Sequence, residues 1–187
     1  AQSVEVIPRQ MADAVSDLDQ WTYVDGGLPQ LVTTDANVPH VPYMSINNSL
    51  VMAELDRTVS RSFELTVRLR HTTYQRGLWI GVFDETGKQG YGAHWDSSSS
   101  TAYSGQGYVN IRKFDLASEI ATWNQSSSVI SSNSGSGHLV TDTQFALVSL
   151  QWDADTNQLT MRVDGQIKVQ CTDTSFDNFS RIYLKGN

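Results

Sequence analysis

From Ser62 to Arg70 the chain reads SFELTVRLR, with Phe63, Leu65, Val67 and Leu69 alternating strictly with Glu64, Thr66, Arg68 and Arg70. A period of two puts the first set on one face of an extended strand and the second set on the other. That is the signature of a sheet with one buried and one wet face. Further short segments of strand character recur at intervals of about ten residues. They are Trp21 to Val24, Ser49 to Leu55, Leu78 to Asp84, Tyr91 to Trp95, Tyr108 to Phe114, Phe145 to Trp152, Leu159 to Val163, Ile167 to Cys171 and Arg181 to Leu184. Turn formers separate many of them, among them Asp25-Gly26-Gly27, Glu85-Thr86-Gly87-Lys88, Asp153 to Asn157 and Asp164-Gly165. The run LWIGVFD is more continuously apolar and so is expected centrally, covered on both faces.

Helical spacing is confined to one short piece, Pro8 to Leu18, where Met11, Ala14, Val15 and Leu18 recur. Leu28 to Pro42 and the stretch SSSVISSNSGSGH after Trp123 read as loops. The chain has 187 residues, enough for one sizeable core and short for two. The expectation is a single all-β domain over residues 1–187, a two-sheet antiparallel sandwich or jelly roll, with residues 1–20 as a lead-in that holds the short helix.

Charge narrows the partners. A formal net charge of -7 disfavours nucleic acid, because binding to phosphates needs a basic surface. Arginine outnumbers lysine, with Arg57, Arg61, Arg68, Arg70 and Arg76 close together, and its planar fork suits carboxylate or sulfate groups. No apolar run approaches the roughly 20 residues that span a bilayer, so membrane insertion is not expected. Residues 1–10, AQSVEVIPRQ, lack the basic-then-apolar order of a signal peptide, and are equally compatible with a mature end or the edge of a piece of a larger protein. Cys171 is the one cysteine, so no internal disulfide staples the fold.

The stretch from Val148 to Gln166, VSLQWDADTNQLTMRVDGQ, resembles the penultimate hairpins of the concanavalin A-like, laminin-G-like jelly rolls. SFDNFSRIYLKG, ending at Gly186, resembles their closing strand, which lies beside the first. FELTVRLR, GLWIGVFDETGKQGYGAHWD and GYVNIRKFD follow in the same order as strands of that superfamily, so the likeness runs from about Trp21 onward. The resemblance implies two curved antiparallel sheets, with glycan recognition on the concave one or on the loops at its rim. It leaves function open, since the architecture hosts lectins, carbohydrate-binding modules, glycoside hydrolases, polysaccharide lyases and adhesion domains.

Catalytic motifs are sparse. Glycosidases need two carboxylates facing across a cleft. The Glu-x-Asp-x-x-Glu strand of the concanavalin-like glucanases does not occur here, and Glu64 and the Asp84-Glu85 turn read as surface acids. Jelly-roll lyases use a Tyr or His base with a cation on the uronate carboxylate, and Arg68, Arg70, His94, Tyr108 and Arg112 supply those residue types. The arginine-glutamate-arginine and glutamine-isoleucine-histidine signatures of alginate lyases are missing. No cofactor is required by any motif. Structural calcium is compatible with Asp153, Asp155 and Asn157, although the same residues make a turn, and Asp35 with Asn37 is a weaker alternative.

What remains is a sheet face. Along Tyr108 to Phe114, Val109 and Ile111 point one way, while Tyr108, Asn110 and Arg112 point the other, offering a ring, an amide and a guanidinium side by side. Tyr91, His94, Trp95 and Trp123 add rings that can stack on the apolar face of a sugar, whereas Trp79 and Trp152 read as core. The expected ligand-binding set is therefore Arg68, Arg70, Tyr91, His94, Trp95, Tyr108, Asn110, Arg112 and Trp123. The reading is a non-catalytic carbohydrate-binding domain, with some preference for an anionic glycan, in a larger secreted or surface-attached bacterial protein. The alternatives are a small polysaccharide lyase acting on uronates and an adhesion or structural domain that binds no glycan.

Overall fold

Antiparallel ladders assemble the alternating segments into two stacked sheets. The structure is a computed structural model, and it describes residues 21–36, 43–46, 49–69, 77–96, 108–122, 127–134 and 145–186. The strands in chain order are β1 (Thr22–Gly26), β2 (Gln30–Val32), β3 (Tyr43–Ser45), β4 (Ser49–Val59), β5 (Phe63–Leu69), β6 (Gly77–Phe83), β7 (Gln89–Asp96), β8 (Tyr108–Asp115), β9 (Ser127–Ser134), β10 (Ala146–Asp153), β11 (Gln158–Val163), β12 (Gln166–Thr172) and β13 (Phe179–Gly186). Seven form one sheet in the order β1-β4-β13-β6-β7-β8-β9, and four form the other in the order β12-β11-β10-β5. β2 and β3 pair in a separate two-stranded sheet, with Met44 of β3 packed against the main core.

The period-two residues meet between the sheets. Phe63, Leu65 and Val67 of β5, Val148, Leu150 and Trp152 of β10, and Leu159, Met161 and Val163 of β11 face Ile80 and Val82 of β6, Tyr91, Ala93 and Trp95 of β7, and Val109 and Ile111 of β8. Trp152 lies at the centre, with ring centroids 6.0 Å from Phe63 and 5.2 Å from Phe179. A second apolar cluster covers the far side of the seven-stranded sheet: Leu50, Met52, Trp79, Phe83, Phe114, Tyr183 and, from the loop after β8, Ile120. That loop is tied down by two backbone bonds to the β6–β7 turn, Leu116 N–H to Lys88 O at 3.0 Å and Ile120 N–H to Gly87 O at 2.8 Å. Central β6 is therefore apolar on both faces, which is why LWIGVFD does not alternate.

One flank of the sandwich is closed by side chains. Ser131 Oγ and Asn133 Nδ2, on edge strand β9, each donate to a carbonyl of β12 in the other sheet, Gln170 O and Lys168 O, both at 3.2 Å.

Several elements depart from the sequence expectation. Residues 127–134 form edge strand β9 although they read as loop, because an edge strand needs no apolar face. The 28–42 loop contains β2, paired with β3. The closing strand β13 lies between β4 and β6, not beside β1. The helix expected over Pro8 to Leu18 lies outside the described residues.

The β12–β13 connection is latched to the core through Asp173. Tyr91 Oη donates to Asp173 Oδ1 at 2.6 Å, Lys113 Nζ lies 3.2 Å from Oδ2, and Ser175 N–H donates to Oδ1 at 2.9 Å. Burial alone would raise the Asp173 carboxyl, but the bonds from Tyr91, Ser175 and Lys113 outweigh it and hold the group at about 2. Burial, and then the bond to Asp173, push the Tyr91 phenol far above its ordinary range. A depressed carboxyl stabilises the fold above its unfolded value near 3.8, and this contribution disappears as pH falls through about 2. Asp173→Asn is accordingly expected to cost on the order of 2 kcal/mol at pH 6. In urea unfolding the gap between wild type and variant should shrink toward zero between pH 4 and pH 2; a gap of constant size would mean that the carboxylate charge is not its source.

Candidate functional site

The far face of the seven-stranded sheet carries two rows of cross-strand neighbours. In the first, Lys185 of β13 faces Trp79 of β6, which faces His94 of β7, Asn110 of β8 and Ser132 of β9. In the second, Tyr183 faces Gly81, Gly92, Arg112 and Val129. Gly81 and Gly92 carry no side chain, and the Arg112 guanidinium reaches back across β7 to lie 4.9 Å from the centroid of the Trp79 ring. A cation over an indole face gains from the ring quadrupole.

The polar groups of these rows bond to one another. The His94 ring stacks flat on Trp79, with centroids 3.4 Å apart and planes 7° from parallel. His94 Nδ1 lies 3.2 Å from Asn110 Nδ2, an arrangement in which the amide donates and the ring nitrogen accepts. Asn110 Oδ1 in turn accepts from Arg112 Nε at 3.3 Å, and Arg112 Nη1 donates to Ser127 Oγ at 2.9 Å. A register shift between Ile111 and Arg112 against β9 brings Ser127 and Val129 beside the guanidinium. The outcome is an arginine held in one geometry by stacking and hydrogen bonds, with its side chain half-buried and not enclosed.

Each expected residue has a definite place. Val109 and Ile111 point into the core and Asn110 and Arg112 point away from it, as the alternation predicts. The row is not the open platform expected, however: Asn110 is 0% and His94 7% exposed. The two side chains bond to each other through His94 Nδ1, and Asn110 bonds across to Arg112 in the second row. Tyr91 and Trp95, expected as exposed rings, are 0% and 1% exposed and pack between the sheets, because they share a face of β7 with Ala93. Neither presents a stacking surface here. Arg68 is exposed, but on the outer face of the four-stranded sheet, 5.6 Å from the Phe145 ring centroid, so it does not join Arg112. Tyr108 begins β8, and its side chain, like Arg70 and Trp123 entirely, lies outside the described residues.

Sequence reasoning missed Trp79 and Ser127 as members of this assembly. The signal for Trp79 was its parity with Gly81 and against Ile80 and Val82, which turns it away from the inter-sheet core. Asp84, read as a surface acid, shapes a turn instead of pairing across a cleft: its carboxylate accepts from the Thr86 hydroxyl and from the N–H groups of Lys88 and Gln89. Asp153 Oδ1 likewise accepts from the N–H groups of Asp155 and Thr156. Among the described residues, no group of three or more His, Cys, Asp or Glu side chains is placed to hold a metal ion.

No protein-family profile matches the sequence, and no curated protein matches it. Solved structures do resemble it. The carbohydrate-binding module CBM66 from Bacillus subtilis is 16% identical, with a TM-score of 0.51 over 90% of this chain and 92% of that one. The Emp46p carbohydrate recognition domain in its potassium-bound form is 13% identical, with a TM-score of 0.57 over 97% and 87%. A glycoside hydrolase family 16 endo-glucanase from Bacteroides ovatus is 14% identical, with a TM-score of 0.50 over 98% and 79%. These likenesses define the class of fold: an all-β, concanavalin A-like jelly roll of the kind seen in carbohydrate-binding modules.

Proposed function

We propose that the protein is a non-catalytic carbohydrate-binding domain whose far sheet face, around Arg112, meets an anionic glycan. The observation that carries this reading is the guanidinium fixed by Trp79, Asn110 and Ser127 yet not enclosed, since a pre-positioned cation loses little freedom when it takes up a carboxylate or sulfate. The likeness to carbohydrate-binding modules supports the same class of ligand. A secreted or surface-exposed setting, attachment to other domains and a bacterial source belong to this reading, as does the absence of nucleic-acid binding from a chain of net charge -7. No described helix is long and apolar enough to cross a membrane. Calcium, if the domain uses it, would have to displace the turn bonds of Asp153 or engage Asp35.

Arg112→Ala is expected to weaken binding to an anionic polysaccharide by about 1.5–3 kcal/mol, the worth of a charge-assisted hydrogen bond. Because Arg112 also bonds Asn110 and Ser127, the variant should in addition lose about 1 kcal/mol of stability. Affinity electrophoresis against alginate and polygalacturonate measures the first effect and thermal unfolding the second; unchanged mobility shifts in the variant would remove Arg112 from the site. The lyase alternative needs His94 or Tyr108 as a base beside Arg112. His94 is stacked, buried and bonded through Nδ1, which favours a positioning role. Growth of unsaturated-product absorbance on either polysaccharide would reverse that preference, and no retardation by any glycan would leave the structural role.

A further inference from the structure

At the opposite end of β4 from its pairing with β1, the ladder with β13 breaks: Phe179 pairs with Val59 and Arg181 with Glu54, so residues 55–58 stand opposite Ser180 alone. The excess chain bulges and opens a cleft of about 320 Å³ between the bulge, the start of β13 and the turn after β6. Bulges of this kind re-aim side chains and recur beside binding sites. Here they bring Glu54, Arg57 and Thr58 opposite Ser180, Arg181 and, from the turn, Glu85.

The cleft is mostly polar and balanced in charge, with two arginines against two glutamates. Arg181 is fixed from behind. Its Nη1 lies 2.7 Å from Glu119 Oε1, and Gly87 makes this possible, since a Cβ there would fall 3.0 Å from both Arg181 Nη1 and Glu119 Cγ. The other terminal nitrogen, Nη2, stands 3.8 Å from Glu54 Oε1. That is too long for a hydrogen bond, but wide enough for one hydroxyl oxygen to sit at about 2.8 Å from each. A hydroxyl accepts from the guanidinium and donates to the carboxylate at the same time. Leu55 adds an apolar wall.

We propose that this cleft is a second subsite that takes one neutral sugar unit, held through a hydroxyl that bridges Arg181 and Glu54. The chemistry follows from the lining: an anion would meet Glu54 and Glu85, a cation would meet Arg57 and Arg181, and a polyol satisfies donors and acceptors alike. The volume is at the small end of ligand sites, roughly 300–1,000 Å³, and fits a single ring better than a chain. The inference rests on the carbohydrate-binding reading but on none of the residues of the Arg112 assembly.

Amide and guanidine NMR titrations with methyl α-D-glucopyranoside, methyl α-D-mannopyranoside and D-fructose, with sodium D-glucuronate as the anionic control, test it. A neutral sugar should shift the signals of residues 54–58, 180 and 181. Glu54→Gln and Arg57→Ala, both at exposed side chains, should weaken that sugar about tenfold or more, while Arg112→Ala leaves it unchanged. Shifts absent from the cleft with every neutral sugar, tighter response to glucuronate, or full affinity in both cleft variants would overturn the subsite. Retained polysaccharide binding alongside any of those results would sink the subsite alone; loss of polysaccharide binding with the cleft response intact would sink the Arg112 reading alone.

Discussion

Trp152→Ala is expected to destabilise the domain by about 3–5 kcal/mol, the cost of removing a large ring from a packed core that relaxes only in part. Trp152 is 1% exposed and contacts rings from both sheets, Phe63 on β5 and Phe179 on β13. The cavity would therefore open at the place where the two layers meet. Stabilities of folded domains run from about 5 to 15 kcal/mol, so the variant should unfold at markedly lower urea concentration, with a fall in Tm of roughly 10 °C or more. Leu147→Ala is the matched control. Its side chain is 47% exposed on the outer face of the four-stranded sheet, and its loss should stay within about 0.5 kcal/mol. Equal midpoints for the two variants would mean that the layers are not held together at Trp152.

The second large effect is expected from adding a single methyl group. Gly90 pairs with Phe83, and a Cβ at Gly90 would strike the Val82 carbonyl oxygen while lying 2.7 Å from Phe83 Cγ and 2.9 Å from Phe83 Cα. Two of these are backbone atoms of the neighbouring strand, so no rotamer change relieves the contact. Phe83 belongs to the second apolar cluster with Phe114 and Tyr183, whose rings stand 5.1 and 4.8 Å away. Gly90→Ala must push β6 and β7 apart and displace the Phe83 ring within that cluster. Overpacking of this kind costs about 3 kcal/mol. Chemical denaturation measures it, and a variant as stable as wild type would show that the strands can separate there without penalty.

How much of this could be read beforehand depends on whether the information was local. β5, β10 and β11 were legible because each has one apolar face, and a period of two declares it. β9 was not, because SSVISSNS owes its strand to neighbours distant in sequence: β8 on one side and the carbonyls of β12 on the other. The same distinction runs through the site. The opposed directions of Ile111 and Arg112 follow from alternation within β8. The enclosure of Asn110 depends on His94 and Trp79 from two other strands. The inward turn of Tyr91 and Trp95 was written in their shared parity with Ala93, but the glycines around them resembled an exposed rim. Nothing in the chain announced that Arg68 and Arg112 would lie on different sheets, since sheet membership is decided by pairing and not by composition.

The side-chain bonds from β9 to β12 bear on association between molecules. A sandwich flank with a row of vacant carbonyls is a template onto which a strand from another copy can zip, the first step toward fibrils. Here Asn133 and Ser131 already occupy the carbonyls of Lys168 and Gln170, so a newcomer pairing along β12 meets acceptors in use at these two positions.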